Sequence, residues 1–185
     1  MCADTPETQT ETPDYKDTLN LPRTEFPMRA GLPKREPEWL ARWEEIGVYD
    51  RLREKAEGRK PFTLHDGPPY ANGNLHIGHA LNKILKDVIN RYQLLRGRRV
   101  RYVPGWDCHG LPIELKVLQS MKSKERRELT PVELRKRAAE FARETVAKQS
   151  ASFRRYGVWG DFERPYLTLQ AEYEAAQIGV FGQMF

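Results

Sequence analysis

The chain has 185 residues, 39% hydrophobic and 31% charged, with four Trp, eight Tyr and seven Phe, a composition that suits one globular domain and excludes a fibrous or wholly disordered protein. No apolar run approaches the roughly 20 residues of a membrane span, and the N-terminus lacks the basic flank and apolar core of a secretory signal; both predict a cytoplasmic protein with no membrane partner. The net charge of +5 is unevenly placed: residues 1–14 hold four acids and no base, whereas Lys83 to Arg101 hold seven bases against one acid, Asp87, a field that suits an anionic partner.

The acidic, Thr- and Pro-containing start predicts a disordered tail over residues 1–20, followed by an N-terminal helical extension over 21–60. Within it Trp39, Leu40, Trp43 and Ile46 recur at helical spacing, Gly47 ends that helix, and a second helical piece runs to Lys55. Pro61 to His65 alternates Phe62 with Leu64 and reads as a strand. From Ile77 to Leu95 the residues Ile77, Leu81, Ile84, Leu85, Val88, Tyr92 and Leu95 form one helical stripe, stopped by Gly97. Arg99 to Val103 reads as a second strand, so strand, helix and strand make a βαβ unit with a parallel sheet. Thr130, Pro131 and Glu133 supply an N-cap, a first-turn proline and a capping-box acid for a long helix reaching about Tyr156. A glycine-rich turn follows. From about Thr168 a last helix carries Tyr173, Ala176, Val180 and Met184 on one face, with no stop signal before Phe185. Cys2 and Cys108 are not expected to pair in a reducing compartment.

Between the first strand and the first long helix lies DGPPYANGNLHIGH, Asp66 to His79. In an open parallel sheet, ligands bind outside the carboxyl ends of the strands, so this loop sits where a nucleotide would bind. Its prolines hold the backbone extended, Gly73 and Gly78 permit close approach, and the helix beginning near Ile77 aims free N–H groups at the loop. His76 and His79, three residues apart, face one side and can donate to phosphate oxygens, most usefully in a crowded pentacovalent transition state. The alternative is that they only cap the helix. His76, His79, Cys108 and His109 also carry zinc-type donors, but the adjacency of Cys108 and His109 departs from structural zinc spacing, and no metal site is expected. The block PGWDCHGLPIE, Pro104 to Glu114, should lie beside the first loop. In it Asp107 either receives a ligand's ammonium group or is a turn aspartate bonding its own backbone.

GPPYANGNLHIGH, then NKILKD, then RYVPGWDCHGLPIELKV, at these distances and over about 60 residues, resemble class I aminoacyl-tRNA synthetases, and among them the bacterial-type isoleucyl enzymes. The resemblance implies a Rossmann-like parallel sheet in an α/β catalytic domain. It also implies an ATP-dependent ligase that joins L-isoleucine to ATP as an adenylate, with Mg2+, and transfers it to tRNA(Ile). It makes His76 and His79 the catalytic pair. Pro69, Tyr70, Ala71, Asn72, Gly73, Asn74 and Leu75 would join Ile77, Gly78 and both histidines in holding ATP. Gly67, Pro68 and Asp107 would hold the amino acid, and the enzyme would be monomeric.

The departures from the pattern set further expectations. The lysine signature that the family carries far downstream has only MKSKE, Met121 to Glu125, as a counterpart here, so Lys122 and Lys124 read as solvated surface. The editing insertion, the anticodon-binding region and the family's zinc module are not expected among these 185 residues. Residues 61–185 are thus expected to be the N-terminal half of the catalytic domain, cut before the editing insertion, with weak or no turnover alone. Two other readings compete: a non-catalytic basic module that binds nucleic acid, and a small nucleotidyltransferase complete in itself.

Overall fold

The computed structural model describes residues 14–20, 25 and 29–185. Most of the expected acidic tail, residues 1–13, and positions 21–24 and 26–28 of the expected helical extension lie outside the described residues. Lys16–Thr18 makes one 3₁₀ turn. Helix α1 (Leu32–Glu45) and helix α2 (Val48–Lys55) follow, broken at Gly47.

The expected βαβ unit is present. Strand β1 (Pro61–Thr63) pairs in parallel with strand β2 (Arg99–Arg101), Phe62 opposite Val100, and helix α3 (Ile77–Leu95) connects them. Both strands are shorter than their sequence pattern suggests, because the backbone beyond them finds other partners. The Tyr102 carbonyl accepts from Asp161 N–H (2.9 Å) and from the Tyr49 hydroxyl (3.3 Å), and Pro104 has no N–H to give. The chain then re-enters a sheet as strand β3 (Gly105–Trp106), parallel to strand β4 (Tyr166–Leu167). Neither two-residue strand is long enough to show alternation, and the sequence reading gives only a turn before the last helix. Here the reading is corrected: β4 occupies Tyr166–Leu167, and helix α7 (Ala171–Gln183) begins after it.

Helices α4 (Leu111–Ser120), α5 (Ser123–Glu128) and α6 (Pro131–Arg155) fill the interval between β3 and β4. At the start of α6 the Thr130 hydroxyl accepts from Glu133 N–H (3.3 Å), and the Glu133 carboxylate accepts from Thr130 N–H (2.9 Å), the expected reciprocal cap. Ala138, Ala142, Thr145, Val146, Gln149 and Phe153 recur every three or four residues and form the buried face of α6. That face packs with Tyr102, Trp106, Ile113, Val117 and Met121 into the core. Lys122 and Lys124, at the start of α5, are exposed as expected.

Helix α3 has the expected bounds and the opposite orientation to an ordinary amphipathic helix. Its apolar stripe faces solvent, with Ile77 at 84% and Leu95 at 88% exposure, while its buried positions are Ala80, Lys83, Asp87 and Asn90. Burial of charge on this scale requires partners, and these define the site.

Candidate active site

Asp66, the first residue of the Gly/Pro-rich loop, is 1% exposed. Its carboxylate accepts from Lys83 Nζ, from Lys86 Nζ (2.8 Å) and from Gly105 N–H (3.1 Å). Lys83 also donates to the Tyr102 hydroxyl (3.1 Å) and lies 4.9 Å from the Phe153 ring centre. Burial alone would push the Asp66 carboxyl up, but the charge and hydrogen bonds of Lys83, then Lys86 and Gly105 N–H, outweigh it and hold the group below the ordinary aspartate range. The cost of burial falls on Lys83, whose ammonium is pulled down by desolvation despite Asp66. One buried carboxylate thus ties the start of the loop to α3 and to β3.

At the other end of the loop, His76 is the N-cap of α3. Its Nδ1 accepts from Gly78 N–H (3.1 Å), while His76 N–H donates to His79 Nδ1 (3.2 Å). The ring centres are 3.9 Å apart. A Cβ at Gly78 would lie 2.9 Å from His76 Cε1, so only glycine lets the two rings close in this way. The capping alternative is therefore realised, and it does not compete with the ligand reading. With both Nδ1 atoms accepting, each neutral ring carries its proton on Nε2, which becomes a donor. Burial first, then the nearby charge of Lys83, pushes the His79 imidazole below its ordinary value.

The two loops meet through main chain: Ala71 N–H donates to the Asp107 carbonyl (2.8 Å), and Asp107 N–H donates to the Pro69 carbonyl (2.9 Å). The expected adjacency of Asp107 and the first loop is thus found. Gln149 of α6 holds the same junction from beneath. Its Oε1 accepts from Trp106 Nε1–H (2.9 Å), and its Nε2 donates to the carbonyls of Tyr70 (3.2 Å) and Gly73 (2.7 Å). Ala71 is fully buried, Leu75 packs on the core, Asn72, Gly73 and Pro68 are half-buried, and Gly67 and Asn74 are exposed.

Among the described residues, the Asp107 carboxylate is bound through one oxygen. Oδ1 accepts from His109 N–H (3.3 Å), the turn contact expected of such an aspartate, and from the Thr168 hydroxyl (3.3 Å), which itself accepts from Cys108 N–H (2.8 Å). Tyr166 lies across Gly105, where a Cβ would fall 1.9 Å from the ring, and donates its hydroxyl to the Asp66 carbonyl (2.6 Å). Neither imidazole hydrogen-bonds to Asp107.

Cys108 and His109 have other partners than a metal. The Cys108 thiol is 3.6 Å from the Trp106 carbonyl and is pushed up to about 11 by burial and by Asp107. His109 Nε2 lies 3.0 Å from Glu174 of α7, which Arg135 also reaches at 3.2 Å. These groups line a cavity of about 600 Å3. Among the described residues no three His, Cys, Asp or Glu side chains gather as a metal site.

Part of the basic field read from Lys83 to Arg101 is turned inward. Lys83 and Lys86 are spent on Asp66, and Arg91 is bound to Asp87 (2.6 Å) and to the Gly157 carbonyl (2.6 Å) while stacked 3.4 Å over Trp159. Three of the seven bases thus form an internal network, while Arg96, Arg99 and Arg101 stay exposed. Local sequence pattern gives no signal for Asp66, Gln149, Tyr166 or Thr168. Their partners lie 17 to 100 residues away, beyond the reach of local spacing.

The family model for tRNA synthetases class I (I, L, M and V) matches residues 38–185. The isoleucine–tRNA ligase of Nostoc punctiforme is 70% identical over 176 residues, which is 95% of this chain and 18% of that protein. The isoleucine–tRNA ligase of Gloeobacter violaceus is 66% identical over 176 residues, with the same coverage. Among solved structures, the LeuRS of Agrobacterium radiobacter K84 in a ternary complex with tRNA and LeuAMS superposes with a TM-score of 0.63 at 25% identity, over 84% of this chain and 18% of that one. The chain therefore spans about one fifth of the length of the relatives it matches. Among the described residues, no helix is long and apolar enough to cross a membrane.

Proposed function

We propose, on the premise that this chain belongs to the class I tRNA synthetases (I, L, M and V), that it carries the ATP-facing and amino-acid-facing loops of a cytoplasmic isoleucine–tRNA ligase. The reaction joins the isoleucine carboxylate to the α-phosphorus of ATP, releases pyrophosphate, and then passes the acyl group to the 3′ end of tRNA(Ile). In this reading residues 61–185 belong to the catalytic domain, and helices α1 and α2 form an extension to it.

The observation that carries the reading is the paired acceptance at Nδ1 of His76 and His79, which makes both rings Nε2–H donors at the N-terminus of α3. Two Nε2–H donors beside a helix N-terminus suit phosphate oxygens whose charge grows and shifts as the α-phosphorus becomes five-coordinate. The loop Pro69–Leu75, held by Gln149, gives the nucleotide a fixed floor. Gly67 and Pro68 would border the isoleucine side chain, and Asp107 would take its ammonium group. Mg2+ would arrive with ATP, held on its phosphates.

Equilibrium dialysis of ATP and L-isoleucine against the purified chain tests this assignment. His79→Ala is expected to weaken ATP about tenfold, the worth of one well-placed donor to a charged group, and to leave isoleucine unchanged. Asp107→Asn should do the reverse. Equal affinities in wild type and both variants would overturn it.

A further inference from the structure

Thr168 stands 61 residues beyond Asp107 in sequence and reaches it through β4, whose pairing with β3 is extended by the bond from Thr168 N–H to the Trp106 carbonyl (3.1 Å). The side chain is 7% exposed. A threonine hydroxyl has one proton to give. Because Cys108 N–H donates to Thr168 Oγ1 at 2.8 Å, the oxygen is held as an acceptor on that side and its own proton is turned elsewhere. The acceptor that it meets is Asp107 Oδ1, at 3.3 Å. His109 N–H donates to the same oxygen, also at 3.3 Å. Both donors thus converge on Oδ1, and among the described residues none donates to Oδ2.

We propose that Thr168 is a positioning residue for amino-acid recognition: its hydroxyl, oriented by Cys108 N–H, fixes the rotation of the Asp107 carboxylate so that Oδ2 meets the substrate's α-ammonium. This rests on the reading of Asp107 as the ammonium receptor. A carboxylate bound at one oxygen by two donors loses its freedom to rotate before the ligand arrives, so less ordering entropy remains to be lost on binding. The device also makes the β4 segment part of the substrate site, although no residue of β4 need touch the substrate.

The test is saturation-transfer NMR on the whole 185-residue chain with two ligands, L-isoleucine and 3-methylpentanoate, the same molecule without its amino group. The quantity read is the ratio of their affinities, which isolates the ammonium contact from side-chain burial. Thr168→Val, which keeps the shape and removes the hydroxyl, is expected to lower that ratio about five- to tenfold, the net worth of one ordinary hydrogen bond. Thr168→Ser should restore it, and ATP affinity should not change in either variant. Asp107→Asn separates the inference from the reading beneath it. A ratio unmoved by Asp107→Asn, or a chain that binds neither ligand, overturns both. A ratio abolished by Asp107→Asn but unmoved by Thr168→Val overturns the role of Thr168 alone, as does a Thr168→Ser variant no better than Thr168→Val.

Discussion

Asp66 shows how much of this site is held by a single side chain. Two ammonium groups and one backbone N–H converge on a carboxylate with almost no solvent contact, so replacing it strands Lys83 in the interior. Asp66→Asn is expected to cost about 3–5 kcal/mol, the penalty for breaking a buried pair from one side, read as a lower urea midpoint. The pH dependence has a definite sign. The Asp66 carboxyl titrates lower in the folded chain than the 3.8 of a solvated aspartate, so its contribution is complete above that value and is lost as pH falls through the lower folded-state value. Wild type should therefore lose stability in that acid window, and Asp66→Asn should lose less there. None of this was visible as spacing. The loop itself was legible from its prolines, glycines and histidines, whereas the partners of Asp66 lie 17, 20 and 39 residues on, and only the fold brings them together.

At the scale of elements, α3 and α6 were readable almost to the residue, because caps and stop signals are local chemistry. Thr130 with Glu133, and His76 with Gly78, are contacts within three residues. The direction in which α3 faces was not readable, because a stripe of apolar residues says that a face will be covered without saying by what. Here the stripe is open to solvent and the charged face is inside. Leu85, 54% exposed, supplies a check. Leu85→Lys is expected to change stability by no more than about 0.5 kcal/mol, as at an ordinary surface position. It should also reduce self-association at high concentration in light scattering, since exposed apolar patches promote it. A loss of several kcal/mol would mean that the stripe is packed in solution.

Across the whole molecule, the candidate site is assembled from four separated stretches: Asp66–His79, Gly105–His109, Gln149, and Tyr166–Thr168. The first two were legible together because a βαβ unit places consecutive strand ends side by side, and their junction at Tyr70 and Asp107 is a bridge of the same parallel hand. The other two were not. Gln149 reads in the sequence as one polar residue on a basic helix, and β4 is too short to carry a period. Both act by fixing what the legible residues present: Gln149 the carbonyls of the nucleotide loop, Thr168 the carboxylate of Asp107. One arrangement results: imidazole donors at the end of a braced loop and, on the second loop joined to it at Pro69–Ala71, the Asp107 carboxylate, serving two halves of one ligand. Calorimetric titration of the chain with a non-hydrolysable isoleucyl-adenylate analogue, repeated with His79→Ala and Asp107→Asn, tests that arrangement most directly. Binding that falls about tenfold or more in each variant is the predicted result, and an analogue that does not bind, or binds all three chains alike, would contradict it.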